Sequence, residues 1–130
     1  MKSVSTLVVL LLLIILNASA GLQAQSSRHK NISASSLESL KEGIKSDNQG
    51  LKRSSIYMAG LYKIDEAVET LAEQLEKEKD AGTRVLIALS LYNIGDPDGM
   101  EAVKKLSFKD SDKEVKRMST ALYREFAVSK

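Results

Sequence analysis

The chain is 130 residues long, carries 19 Lys and Arg against 17 Asp and Glu, and has no cysteine and a single histidine. Those counts exclude disulfides and a cysteine-borne lipid, and they leave no Cys/His set for zinc or for a His-activated nucleophile. The charge is too evenly balanced for a nucleic-acid-binding surface.

Lys2, an unbroken apolar run from Leu7 to Leu16, and small residues at Ala18-Ser19-Ala20 or Leu22-Gln23-Ala24 form the pattern of a secretory signal peptide over residues 1–24. Cleavage is expected after Ala20 or Ala24, which makes the protein periplasmic or secreted. The run is shorter than the roughly 20 residues a membrane span requires, so no span is expected once the leader is removed. Residues 25–34 are polar and serine-rich and read as a flexible lead-in holding the lone His29. Asn31-Ile32-Ser33 within it has the form of a glycan acceptor, which matters only in a eukaryotic source. What remains is enough for one domain with one core.

The first unit is expected over residues 35–64. Leu37, Leu40 and Ile44 share one helix face, Ser35 with Glu38 has the form of a capping box, and the polar cluster from Ser46 to Gly50 ends the helix. A second helix follows through Ile56, Ala59 and Leu61. The second unit, 65–95, is expected to open with Asp65 as a cap, to carry the stripe Val68/Leu71/Leu75, and to return through Leu86 to Leu91, apolar nearly all round. The third, 96–127, opens with Asp96 capping a helix that has Pro97 at its first position. It carries Gly99/Ala102/Leu106, shows a second capping box at Ser111 and Glu114, and returns through Met118 to Phe126.

The stripes recur every 31 residues. A second pattern beginning at Asn48, Asp80 and Asp112 recurs every 32, with Lys52, Arg84 and Lys116 four residues into each copy. Two registers present three times predict a tandem repeat of helical hairpins: an all-α, short right-handed α-α superhelix of about three hairpins. The interval from stripe to block grows along the chain, and the extra length is expected in the turns. The centre of the core is expected at Leu71, Leu75, Leu86, Leu89 and Leu91, in the hairpin covered on both sides.

An Asp or Asn, then an apolar or small residue and a Lys or Arg, opening the second helix of a hairpin of about 31 residues, resembles the HEAT repeats, especially the short HEAT-like units of phycobilisome-lyase-type proteins. The junction Leu89-Ser90-Leu91-Tyr92-Asn93-Ile94-Gly95-Asp96 is similar to the family's usual one, whereas Arg124-Glu125-Phe126 departs from it as a last repeat does. The resemblance spans about residues 35–126. It implies an inter-repeat ladder from Asn48, Asp80 and Asp112 to Lys52, Arg84 and Lys116.

Little catalytic chemistry is visible. Glu66, Glu69, Glu73 and Glu76, interleaved with Lys77 and Lys79, read as a solvated helix face, Asp96-Pro97-Asp98 reads as a cap, and no glycine-rich phosphate cradle is present. No catalytic, metal or cofactor site is expected. Arg53 and Arg117 are the basic repeat residues left over from the ladder. With Tyr57, the best candidate for an exposed aromatic anchor, and Tyr123 and Phe126 at the last face, they form the candidate partner surface. Tyr62, Tyr92 and Tyr123 each follow a leucine and are expected at the core edge. Neither end of the stack reads as a polar cap, so self-association or a protein partner is expected to cover some of it. The reading is therefore an exported, non-enzymatic helical-repeat module for protein–protein interaction. The alternative is a structural spacer or accessory subunit of an exported enzyme or envelope assembly.

Overall fold

The computed structural model describes residues 32–130, and Ser33–Lys130 forms one compact unit. The expected leader, most of the lead-in, His29 and Asn31 lie outside the described residues. Six α-helices follow in order: α1 (Ala34–Lys45), α2 (Gln49–Leu61), α3 (Val68–Lys77, preceded by a 3₁₀ turn at Asp65–Ala67), α4 (Ala81–Ile94), α5 (Pro97–Lys109) and α6 (Lys113–Val128). They pair as hairpins α1/α2, α3/α4 and α5/α6. The second helices make one layer, with α4 packed between α2 and α6, and the first helices make the other. The described chain is an all-α solenoid of three hairpins.

Each second helix starts where a side chain can take the first unpaired N–H groups. Asn48 Oδ1 accepts from Leu51 N at 3.0 Å, Asp80 Oδ2 from Thr83 N at 2.7 Å, and Asp112 Oδ1 from the N–H groups of Glu114 and Val115. Asp96 caps α5 in the same way, with Pro97 at its first position. Two expected capping boxes shift. The hydroxyl of Ser33, not Ser35, caps α1 by accepting from Ser36 N, and Asp112 rather than Ser111 caps α6. In both cases another short polar side chain two residues earlier, or one later, already occupies the capping position.

Asp65 is not a cap. It sits inside the 3₁₀ turn, whose entry residue Ile64 makes no side-chain cap bond. The link before it is set by a Schellman closure of α2, with Ile64 N bonding Ala59 O at 3.0 Å and Lys63 N bonding Gly60 O at 3.2 Å. Lys63 therefore adopts φ +50°, a left-handed position that Gly95 fills at φ +79° one repeat later.

The turns within the hairpins do not lengthen along the chain. Residues 46–48, 78–80 and 110–112 are equal in span, and the extra residues lie in the last turn of each first helix, between Ile44, Leu75 or Leu106 and the helix end. The reason is a fixed bonding pattern in the turn: the N–H of each cap residue donates to the side chain two positions before it, Asn48 to Ser46, Asp80 to Glu78 and Asp112 to Asp110.

The core runs through all three hairpins and is centred on Ile44, Ile56, Leu71, Ile87, Leu91, Met100, Val103 and Val115, with Leu75 beside them. Leu86 and Leu89 are only partly buried and pack against it. Helical spacing explains the difference, because Ile87 and Leu91 share the inward stripe of α4 while Leu86 and Leu89 flank it.

Candidate functional site: seams and open ends of the stack

Of the six residues expected to form an inter-repeat ladder, Lys52 and Arg84 make cross-hairpin ion pairs, and with carboxylates other than the expected ones. Lys52 Nζ on α2 reaches Glu78 Oε2 at 3.0 Å, and the Arg84 guanidinium on α4 grips Asp110 with Nε–Oδ2 at 2.7 Å and Nη2–Oδ1 at 2.9 Å. Each acid lies two residues before the cap of the next second helix. Asn48, Asp80 and Asp112 are occupied as caps, so their neighbours take the cations. Lys116 stands at the third rung position, half-buried, and forms no ion pair among the described residues.

Lys52, Glu78 and Asp110 are buried, and the Arg84 side chain is 12 % exposed. Burial pushes the Glu78 carboxyl up, but the Asp80 N–H, Lys52 and Gln74 outweigh it and hold it below the usual glutamate value. For Asp110, burial likewise works upward and is overcome by Arg84 and by the Asp112 N–H. Arg84 also donates to the carbonyls of Glu78 and Lys79, tying the second turn to the third. These rungs fasten the stack. A groove of about 470 Å³ beside them, lined by Ala72, Leu75, Ala102 and Leu106 with Glu76, Lys105 and Lys109, contains Arg84 and Asp110 already paired with each other.

The five residues expected to form a partner surface do not gather into one patch. Arg53 and Tyr57 lie on α2, whereas Arg117, Tyr123 and Phe126 lie on α6, with α4 between the two helices. Arg53 Nη1 bonds Thr83 Oγ1 at 3.0 Å and stands 3.7 Å from Asp80, and Arg117 is held by Glu114 one turn earlier. Tyr123 and Phe126 are packed against the core, each with a lysine ammonium over its ring, Lys104 at 5.5 Å and Lys130 at 4.5 Å. Their packing removes them as an exposed apolar end. Tyr57 is exposed as expected, while Tyr62 is more exposed than a core-edge position predicts.

Exposed apolar surface concentrates on α2, of whose residues the sequence singled out Tyr57 alone as an exposed aromatic. Leu51, Tyr57, Met58, Leu61 and Tyr62 lie on α2 or at its C-cap. In the 32-residue register, Leu51, Ser55 and Met58 correspond to Thr83, Ile87 and Ser90 of α4 and to Val115, Ser119 and Leu122 of α6. All six of those equivalents are buried; on α2, Ser55 is buried as well, beside Gly43 of α1, whereas Leu51 is 53 % and Met58 40 % exposed. The open face of α2 is the face that a preceding hairpin would cover. The opposite end differs: the outward row of α6 carries Lys116, Thr120 and Arg124, a polar cap. Register was the available signal for both findings, since Glu78 and Asp110 are acids 32 apart and Leu51 and Met58 are large apolar residues at repeat positions.

Among the described residues, no group of His, Cys, Asp and Glu is placed to hold a metal ion, and no helix is long and apolar enough to cross a membrane. The profile of the HEAT repeats matches residues 37–123. Among curated proteins and among solved structures, nothing matches the chain. The match covers all three hairpins and both seams, and the chain belongs to the HEAT-repeat family.

Proposed function

We propose that this chain is an exported, non-enzymatic module for protein–protein interaction, and that its contact surface is the outer face of the first hairpin. HEAT repeats commonly serve as protein-binding scaffolds. The observation that carries the reading is the exposure of Leu51 and Met58 at register positions that are buried in both later hairpins. A large apolar row at the end of a helical stack marks a contact site, and leucine, methionine and tyrosine beside serine, without charge, is a composition suited to the centre of an interface. Export rests on the leader pattern of residues 1–24.

The test is a photo-crosslinking residue placed at Met58 in the full chain expressed in its own cells, with the same residue at the highly exposed Phe108 of α5 as a control. Protein adducts at position 58 and none at 108 are expected. No adduct at 58 would leave a spacer as the better account. Fractionation of the same cells reads the location, and a chain retained in the cytoplasm with its leader intact would remove the export part.

A further inference from the structure

We infer that the partner covering the open face of α2 is a second copy of this chain, docked antiparallel about a two-fold axis that passes between Ser54 and Ser55. The inference rests on the interaction reading above and names its partner. Three features of α2 support it.

The first is the failure of head-to-tail stacking. A second copy continuing the solenoid would lay its α6 end on α2, but that end presents Lys116, Thr120 and Arg124. Within the stack, the cation at this position enters a carboxylate two residues before the next cap, at Glu78 or Asp110. In the first hairpin that position is Ser46, whose hydroxyl accepts from Asn48 N. Polar residues would cover apolar ones, and at the rung position the lysine would meet Ser46 in place of an acid. The surface of this chain that matches the α2 face in apolar character is the α2 face itself, which makes the contact isologous, the commonest form of dimer.

The second is shape. Ser54 is small and exposed at the middle of the row, with larger Leu51 on one side and Met58 on the other, while Ser55 is turned inward and buried. Two antiparallel copies crossing at the exposed Ser54 approach closely there. Leu51 of each then meets Met58 of the other, both about 5 Å along the helix axis from the crossing point.

The third is charge. The row itself is uncharged, but Asp47 precedes the N-terminus of α2 and Lys63 follows its C-terminus, both exposed and without an ion pair among the described residues. The same antiparallel register brings Asp47 of one copy to Lys63 of the other, with axial positions matching within about 2 Å. Opposite charges therefore meet twice, while a parallel pairing would set like charges together.

The experiment is sedimentation of protein purified from cells expressing the full chain, for the wild type and for Met58→Arg, Asp47→Lys, Lys63→Asp and the double charge swap. These are surface changes, and Asp tolerates the left-handed backbone at position 63. Two facing helices of this length bury less than the roughly 800 Å² per partner of a stable complex, so a wild-type dimer with Kd on the order of 10–100 μM is expected. Met58→Arg should abolish it, and each charge reversal should weaken it about tenfold. The double swap should return it to within about threefold of the wild type. A wild type that stays monomeric to about 500 μM, well above that range, overturns the inference, as does a dimer indifferent to Met58→Arg or a double swap no better than either single. A monomer whose position-58 crosslinks contain only other proteins overturns the second copy while leaving the interaction reading intact.

Discussion

At the α2–α4 seam a lysine ammonium touches one oxygen of Glu78, whereas at the α4–α6 seam an arginine fork holds both oxygens of Asp110. The backbones differ in the same sense. Gly60 lets α2 approach α4 so closely that a Cβ there would lie 2.7 Å from Ser90 Cα. One repeat later Tyr92 occupies the equivalent position, and its phenol faces Glu125, whose carboxylate pushes the tyrosine pKa up. The first seam is tight in the backbone and loose in its ion pair. The second carries a tyrosine where the first has its glycine and is clamped by a bidentate pair. A repeat therefore fixes the place of a fastening and leaves its chemistry open, and each seam reaches closure by a different division between packing and polar contact.

The change expected to break the second seam most severely is Asp110→Ala. It strands the Arg84 guanidinium in a buried site and removes the acceptor of the Asp112 N–H, so a loss of about 3 to 5 kcal/mol is expected in urea denaturation. The same site governs the acid limb of stability. The folded pKa values of Glu78 and Asp110 lie below their ordinary values. Their contribution is therefore complete above the unfolded carboxylate range near pH 4 and is lost as pH falls through the lower folded values. Asp110→Ala should flatten the fall in melting temperature below about pH 4 relative to the wild type. An equally steep fall would show that other carboxylates control it.

At the first seam the matching test is Gly60→Ala, which forces α2 from the backbone of α4 and should cost about 1 to 3 kcal/mol despite the better helix propensity of alanine. A gain in stability would mean that the seam relaxes freely. Arg84→Lys converts the second rung into the chemistry of the first. It retains the charge and loses the fork and the bonds to the Glu78 and Lys79 carbonyls, for an expected cost of about 1 to 2 kcal/mol. Denaturation of the variant beside the wild type reads the difference directly.

The hairpin architecture was legible because it rests on patterns that a sequence carries openly: apolar stripes at helical spacing, and short polar caps at Asn48, Asp80, Asp96 and Asp112. The errors share a physical origin. Several polar residues stand within reach of each helix start, and spacing alone does not say which one the backbone selects. Glu78 and Asp110 were hidden in this way behind the adjacent caps. The sequence points to Leu89 at the core centre because α4 is apolar nearly all round, where composition gives no phase and only packing separates Ile87 from Leu89. The open face of α2 was the least legible feature, since Leu51 and Met58 are the residue types a covered helix would carry. They are exposed because none of the described helices packs on that side of α2.

The smallest expected effect separates the two seams by sign. Ser90 at the first seam donates its hydroxyl to Ile56 O across the helix boundary at 2.8 Å, while Ser119 at the second is fully buried and its hydroxyl has no partner among the described residues. Ser90→Ala removes a satisfied bond and leaves the neighbouring carbonyl with one acceptor site fewer filled, which should cost about 1 kcal/mol. Ser119→Ala removes a buried polar group without a partner among the described residues and places a better helix former inside α6, so it should gain about 0.5 to 1 kcal/mol. In a domain of this size that is a melting temperature lower by roughly 4 to 8 °C for the first variant and higher by about 2 to 8 °C for the second. Equal losses from both would show that the Ser119 hydroxyl is bonded in solution and that the second seam holds a polar contact the first lacks.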